Sequence, residues 1–332
     1  DNISGIHGYD ISIGLSPNQH DILDLLHVFN NTSFTVNNLS LQNSITYFVN
    51  VRAIDNAGNI SDVVSSDGIT VDTEKPSFSY LYENEIGFDT EFISDYDSLI
   101  IYWSVLDTTS GINIIEVSID SDSSISDLTE WFNVDDLNYY VFNDLELVNG
   151  NKYHTKIRSF DNARNESDAF ISNGFIVDTT PPVGSLVLDG IEFDFIYTQN
   201  DSTIISSWLP FNDSISGIAF YEFAVGLAGS DSNIIDWQNN GLDTNAIIDN
   251  IPLASGSTYI SKVRAIDNIG NISSEYTSSG IMVDVDIPIS GTVIDGIYSD
   301  EDWTNRTDFF AAFWSNFQDT SSGIKEFEYA IG

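Results

Sequence analysis

Aspartate and asparagine residues recur along this chain at a fixed spacing of 106 positions. Calcium binds six to eight hard oxygens from carboxylates, amides and backbone carbonyls, so these residue types predict Ca²⁺ sites. The competing interpretation is that Asp and Asn are turn formers, since the spacing matches neither an EF-hand nor a nonapeptide repeat. The candidate ligands fall into three groups: Asp72, Glu74, Asp107, Asp161, Asn162 and Asn165; Asp178, Asp213, Asp267, Asn268 and Asn271; Asp284, Asp286 and Asp319.

Catalytic chemistry has little support in the sequence. Four histidines are present and none recurs at the spacing of 106, while cysteine is absent. No nucleophile-elbow, zincin, phosphate-loop or dinucleotide-binding motif occurs. The chain is therefore predicted not to be an enzyme, and calcium is the one cofactor that its residues suggest.

The charge balance narrows the classes of partner. Fifty-one acidic residues face 10 basic ones, a net charge of −41. Nucleic acid requires a basic surface, so it is excluded as a partner, and anionic membrane surfaces are disfavoured for the same reason. No apolar run reaches the length of a membrane span, which predicts no membrane insertion by this segment.

The recurring residues belong to an internal repeat. The segment YISKVRAIDNIGN at 259–271 has copies at 47–59 and 153–165, and proline-containing joints follow each final Val-Asp. Proline is confined to strand edges and connections, so the joints mark boundaries. They predict repeat 1 (1–72, lacking its first strands), repeat 2 (73–178, complete), repeat 3 (179–284, complete) and repeat 4 (285–332, first strands only).

Within a repeat the apolar residues alternate with a period of two. Tyr259, Ser261, Val263 and Ala265 form one face of a segment whose other face carries Arg264. This alternation predicts half-buried antiparallel strands. Roughly seven short strands in about 100 residues, with no helical pattern, predict an all-β chain of tandem immunoglobulin-like sandwiches arranged as an elongated array.

The repeats resemble fibronectin type III-like modules, which occur in tandem in giant bacterial surface and adhesin-like proteins of the Bacteroidota type. The resemblance rests on inward Trp208, on Leu253 six residues before Tyr259, and on the VRAIDNIGN and TPP segments. It implies a leucine–tyrosine corner. It also implies that two loops and the incoming linker meet at one end of each repeat, which would bring the acidic residues of each group together.

Two further patterns have structural interpretations. Arg52, Arg158 and Arg264 occupy one outward strand position, opposite an acidic position on the neighbouring strand held by Asp10, Glu116, Glu222 and Glu328, which predicts cross-strand ion pairs. Trp208 and Trp314 are predicted to lie in cores. Trp131 and Trp237 lie near a strand edge, where packing is favoured over stacking on sugar.

Together these patterns predict a non-enzymatic structural or adhesive segment of a long secreted or cell-surface protein. It would act as a stalk or fibre, stiffened by calcium at its joints. Its predicted partners are neighbouring repeats, other copies of itself, and cell-surface glycans or proteins. One alternative is a self-associating extracellular filament or sheath subunit. Another is a spacer or glycan-binding module of a secreted polysaccharide-degrading enzyme.

Overall fold

A computed structural model describes residues 2–88, 90–121, 128–134, 138–230 and 233–331. The described chain is all-β, as predicted, and contains no helix that is long and apolar enough to cross a membrane. It divides into two compact units, an N-terminal unit of residues 1–177 and a C-terminal unit of residues 178–332. The finer division into four repeats stays a prediction, and its names serve below as labels for sequence ranges.

Repeat 1 contributes one antiparallel sheet to the N-terminal unit. The strand order is β2-β1-β3-β4, and β5 also pairs with β3. The third strand carries the VRAIDNAGN segment, in which Arg52 lies opposite Asp10. The strands are β1 (Ile6–Gly14), β2 (Leu23–His27), β3 (Thr46–Asp55), β4 (Val64–Ser65) and β5 (Ile69–Thr70).

Repeat 2 contributes two sheets to the N-terminal unit. One has the order β11-β8-β6; the other has the order β10-β9-β12-β14-β7, with β13 also pairing with β12. Buried residues from both sheets form one core that includes Trp103, Ile119 and Ile157. The strands are β6 (Ser77–Glu83), β7 (Phe92–Ile93), β8 (Leu99–Leu106), β9 (Ile112–Ser121), β10 (Phe132–Val134), β11 (Tyr139–Phe142), β12 (Lys152–Asp161), β13 (Phe170–Ile171) and β14 (Phe175–Val177).

The C-terminal unit repeats this arrangement in repeat 3. Its sheets have the orders β15-β17-β20 and β16-β23-β21-β18-β19, with β22 also pairing with β21, and β24 pairs with β25 in repeat 4. The strands are β15 (Val187–Leu188), β16 (Tyr197–Thr198), β17 (Thr203–Trp208), β18 (Ile218–Leu227), β19 (Asn233–Asn239), β20 (Asn245–Asp249), β21 (Thr258–Asp267), β22 (Tyr276–Thr277), β23 (Ile281–Val283), β24 (Thr292–Asp295) and β25 (Ala312–Ser315). The predicted fold class, an all-β chain of immunoglobulin-like sandwiches, is confirmed.

The predicted alternation and corner are both present. In β21 the side chains of Tyr259, Ser261, Val263 and Ala265 are buried in the sandwich. The hydroxyl of Tyr259 accepts a hydrogen bond from the backbone N–H of Ala254 at 2.8 Å, and Tyr47 and Tyr153 accept equivalent bonds. A buried phenol paired with its own upstream backbone fixes the chain as it enters the strand.

A β-bulge in β6 gives repeat 2 a different register from repeat 3. In repeat 3 Val187 lies opposite Trp208, but the bulge between Phe78 and Tyr80 makes Leu81 lie opposite Trp103 instead of Tyr102. β8 is displaced by one residue against β11 as well, since Tyr139 lies opposite Tyr102 whereas the equivalent Asn245 lies opposite Ser207. Side chains alternate between the two faces of a strand, so this slip against both neighbours reverses the faces of β8. Trp103 is therefore buried at 1% exposure, and Tyr102 lies on the solvent side.

Candidate metal centre

Three aspartates from separate parts of the N-terminal unit meet at one place. Asp72 follows β5, Asp107 follows β8 and Asp161 ends β12. Each contributes a carboxylate oxygen, and these oxygens all lie within 4.8 Å of one another. Like charges at this separation repel, which favours either a bound cation or strong hydrogen bonding to the charged forms.

Asp107 and Asp161 are held by the turns that they close. The Oδ1 atom of Asp107 accepts the backbone N–H groups of Thr109, Ser110 and Gly111 at 3.1, 2.9 and 2.8 Å. Asp161 is fully buried and accepts both the backbone N–H and the Nδ2 group of Asn165. This is the turn chemistry that Asp supplies by itself, so these two placements need no ion.

Asp72 differs from Asp107 and Asp161, because one of its carboxylate oxygens has no hydrogen-bond partner among the described residues. Oδ1 accepts the backbone N–H of Glu74 at 3.0 Å. Oδ2 is buried, and within the described part of the chain no group donates a hydrogen bond to it. A buried carboxylate oxygen without a donor is costly. Ca²⁺ fits this donor set, since it takes carboxylate oxygens in flexible geometry and would satisfy the orphaned atom.

The C-terminal unit contains the same triad in Asp178, Asp213 and Asp267, again with ligand oxygens within 4.8 Å of one another. Asp213 closes its turn as Asp107 does, through the N–H groups of Ile215, Ser216 and Gly217. Here the linker carboxylate is satisfied, since Oδ2 of Asp178 accepts the N–H of Ser216 at 3.1 Å. Burial raises the pKa of Asp178, but bonds from Ser216 and Thr180 outweigh it and leave that pKa below its ordinary value.

The four predicted asparagine ligands use their amide nitrogens to fasten loops together. Asn162 donates to the carbonyl of Ser110 at 2.8 Å, and Asn268 donates to that of Ser216 at 2.6 Å. Asn165 and Asn271 donate to the carbonyls of the linker residues Asp72 and Asp178, both at 3.2 Å. The linker is thus tied, through backbone carbonyl and side-chain amide groups, to the loop after β12 in repeat 2 and to the loop after β21 in repeat 3. The side chain of Glu74 lies outside the triad as an exposed group.

The third predicted group is only partly brought together. Oδ2 of Asp284 and Oδ1 of Asp319 both accept the backbone N–H of Ser322, at 3.0 and 2.9 Å. Turn N–H groups, that of Gly323 foremost, lower the pKa of Asp319 below its ordinary value. Asp286 points elsewhere and accepts the Ser255 hydroxyl at 2.7 Å.

Sequence reasoning missed Asp55, which occupies the position of Asp161 and Asp267 in repeat 1. Its Oδ1 accepts the N–H groups of Ala57 and Asn59, and its Oδ2 accepts the Asn59 amide at 2.7 Å. The side-chain and backbone bonds from Asn59 lower the pKa of Asp55 to about 2. The repeated Arg-x-x-Asp-Asn pattern was the signal that could have included it.

The predicted cross-strand ion pairs are present on the opposite side of the same strands. Arg158 lies 2.6 Å from Glu116, Arg264 lies 2.6 Å from Glu222, and Arg52 lies 2.9 Å from Asp10. The guanidinium of Arg158 stacks 4.6 Å from the ring centre of Trp131, and that of Arg264 stacks 4.4 Å from that of Trp237. Both indoles are half-buried and covered on one face by an arginine, which favours the packing interpretation.

Replacing Arg264 by Lys is expected to lower the free energy of unfolding by about 0.5–1 kcal/mol more than replacing Arg52 by Lys does. Both changes keep the positive charge beside a carboxylate, but only Arg264 loses its planar stacking on an indole. Repeat 1 carries exposed Leu25 where its neighbours have tryptophan, so Arg52 is the matched control. The measurement is the urea midpoint of each variant; equal losses would show that the indole contributes nothing.

Comparison with solved structures gives distant likenesses. No protein-family model matches the chain, and no curated protein matches it. Among solved structures, it is similar to the FN1–FN3 domains of chicken CNTN1, with 16% identity over 86% of this chain and 91% of that one, at a TM-score of 0.34. It is also similar to domains A168–A170 of titin, with 15% identity over 71% and 74% of the chains and a TM-score of 0.41. The fold assignment rests on the strand topology described above.

Proposed function

We propose that this chain is a non-enzymatic structural segment of an extracellular repeat protein, in which Ca²⁺ holds each linker against the sandwich that follows it. The observation that carries the proposal is the carboxylate triad, which occurs in both units at a spacing of 106 residues. Each triad combines one linker aspartate with one aspartate from each of two loops. A cation bound there cross-links three chain segments that are otherwise joined by a few hydrogen bonds.

Calcium would supply charge neutralisation and a cross-link, with the protein supplying the oxygens. In the N-terminal unit Asp72, Asp107 and Asp161 would hold the ion, and in the C-terminal unit Asp178, Asp213 and Asp267 would do so. Calcium is favoured over magnesium, because Mg²⁺ demands near-ideal octahedral geometry and gives up its water reluctantly. The orphaned Oδ2 of Asp72 predicts that the N-terminal site binds more tightly.

The role that follows from such sites is mechanical. Sandwiches whose linkers are clamped bend less at their joints, so a run of them would act as a stalk or fibre that carries an adhesive surface away from a cell. We place this protein outside the cell, with neighbouring repeats, further copies of itself, and surface glycans or proteins as its partners. Stability in such an array is expected to be local to each repeat plus a nearest-neighbour contribution.

Calcium is expected to raise the thermal midpoint of the 332-residue chain by about 5–10 °C when present at 100 times its dissociation constant. Binding to the native state at that ratio contributes about 2.7 kcal/mol, and 1 kcal/mol shifts the midpoint by about 2–4 °C in units of this size. The measurement is scanning calorimetry with calcium, with matched magnesium and with chelator. Equal small shifts with both cations would mean general charge screening and would overturn the proposal.

A double variant, Asp72→Asn with Asp178→Asn, tests whether the triads cause the shift. It should abolish the calcium response in both units. In chelator it should raise the midpoint of the N-terminal unit alone, because an amide in place of Asp72 Oδ2 can donate to the neighbouring carboxylates, whereas Asp178 already accepts hydrogen bonds with both of its oxygens. The matched control is Asp62→Asn with Asp243→Asn, which removes two exposed acids and the same net charge. A calcium response that survives the first variant, or disappears in the second, would contradict the assignment.

A further inference from the structure

A row of tyrosines crosses the solvent-facing side of the β6–β8–β11 sheet. Tyr82 lies directly opposite Tyr102, and Tyr102 lies directly opposite Tyr139. Tyr80 stacks on Tyr82 with ring centroids 4.9 Å apart, and the centroids of Tyr102 and Tyr139 are 6.2 Å apart. The three strands therefore present four phenol rings side by side.

The strand pleat places this row outside the core. Leu81, Ile101 and Trp103, which alternate with the tyrosines, are buried at 7%, 0% and 1% exposure. Tyr139 is 41% exposed, and the other three tyrosines are half-buried against one another. The one-residue displacement of β8 against both β6 and β11, relative to repeat 3, is what aligns them, since without it Tyr102 would take the inward position that Trp208 has in repeat 3.

The fold does not require these tyrosines. Repeat 3 has the same three-strand row, and there the positions are held by Leu188, Ser207 and Asn245. Both sandwiches have complete cores beneath that face. Half-exposed aromatic rings that the equivalent repeat lacks point to binding rather than to packing.

Among the described residues, the outward positions interleaved with the row are Ile100, Ser104 and Val141, and none of them is charged, although the whole chain carries a net charge of −41. A ligand with positive charge would find no carboxylate at these positions, and one with negative charge would be repelled by the rest of the protein. The face therefore fits a neutral ligand that offers both apolar C–H groups and hydroxyls.

We propose that the tyrosine row, Tyr80, Tyr82, Tyr102 and Tyr139, binds a neutral polysaccharide chain. Sugar rings present C–H groups that pack on the faces of aromatic rings, and phenol hydroxyls can exchange hydrogen bonds with sugar hydroxyls. A row of rings across three strands suits a linear chain. This site is independent of the calcium triads and of Trp131 and Trp237.

A second copy of the protein fits this face less well than a polysaccharide does. Three short strands spaced about 4.8 Å apart offer roughly 300 Å² of face. Stable protein interfaces need about 800 Å² on each partner. Two copies of a chain with this net charge also repel each other.

The test is native affinity electrophoresis of the 332-residue chain in gels containing laminarin, hydroxyethylcellulose, galactomannan or xylan, with the anionic polysaccharide alginate for comparison. The wild type should be retarded by at least one neutral polysaccharide and not by alginate. The variant Tyr82→Leu, Tyr102→Ser, Tyr139→Asn installs the repeat 3 residues and should weaken that retardation about tenfold or more. Its thermal midpoint should stay close to that of the wild type.

Two controls separate binding from folding and from self-association. Tyr140→Phe changes an inward tyrosine of β11, the strand that also carries Tyr139, and should leave the retardation unchanged. Absence of retardation in every neutral gel, or equal retardation of the triple variant, would overturn the proposal. So would wild-type dimers in sedimentation that the triple variant abolishes, because the face would then be a self-association surface.

Discussion

Replacing Trp208 by Ala is expected to destabilise repeat 3 by about 3–5 kcal/mol. Trp208 is 4% exposed and packs against Tyr221 and Phe223, with ring centroids 5.7 and 6.0 Å away. Domains of this size are stable by about 5–15 kcal/mol, so the change removes a large share of that stability. Hydrogen exchange followed by mass spectrometry should show protection lost between residues 187 and 283.

The N-terminal unit provides the internal reference for this experiment. Its buried residues form a separate core around Trp103, so exchange protection between residues 81 and 177 should persist. Trp208→Phe is the matched control. It keeps a ring in the core and removes an indole N–H that is buried without an acceptor among the described residues, so it should cost much less. Loss of protection in both units together would contradict the expectation that stability is local to each repeat.

The sandwich was predictable because its signals are periodic and local. Alternation in β21, the residues of the tyrosine corner and the cross-strand Arg–acid positions each follow from side-chain geometry within one or two strands. The 106-residue spacing then carried these assignments from one repeat to the next. Convergence of the aspartates depended on topology, which the resemblance to fibronectin type III-like modules supplied.

The two buried acids at the end of β6 and directly after β15 could not have been predicted. Glu83 is 1% exposed and accepts the Thr155 hydroxyl across the core at 2.7 Å. The corresponding Asp189 accepts the N–H of Gly280, while its Oδ1 has no partner among the described residues, and burial raises its pKa. In a chain with 51 acidic residues, an acid at such a position is expected to be exposed to solvent, and the sequence alone gives no signal of its burial.

The tyrosine row could not have been predicted either, and the reason is the register of β8. Repeat-to-repeat alignment equates Tyr102 with core Trp208, and only the one-residue displacement of β8 against β6 and β11 turns it outward. Register and bulges depend on how neighbouring strands pair, and no strand encodes them alone. The surface on which the further proposal rests is therefore a property of the pairing of β8 with both of its neighbours.

Replacing Asp267 by Ala is expected to lower the free energy of unfolding by about 2–4 kcal/mol in chelator and by more in calcium. Its carboxylate accepts the N–H groups of Ile269 and Asn271 and the Asn271 amide, at 3.0, 2.8 and 2.8 Å, so truncation leaves buried donors without partners. If Asp267 also binds Ca²⁺, the loss in calcium should exceed the loss in chelator by about 2.7 kcal/mol at 100 times the dissociation constant. Urea unfolding in both conditions measures the difference.

Asp55 separates the two roles of this carboxylate, because it makes the same turn bonds to Ala57 and Asn59 yet belongs to no carboxylate triad among the described residues. Asp55→Ala should therefore lower the free energy of unfolding by the same amount with and without calcium, because it removes only the turn bonds. A calcium-dependent excess for Asp267 alone would mean that the repeated aspartates act as ligands. Equal losses for Asp267 in the two conditions would mean that they are turn formers, and that the joints are held by hydrogen bonds and proline without an ion.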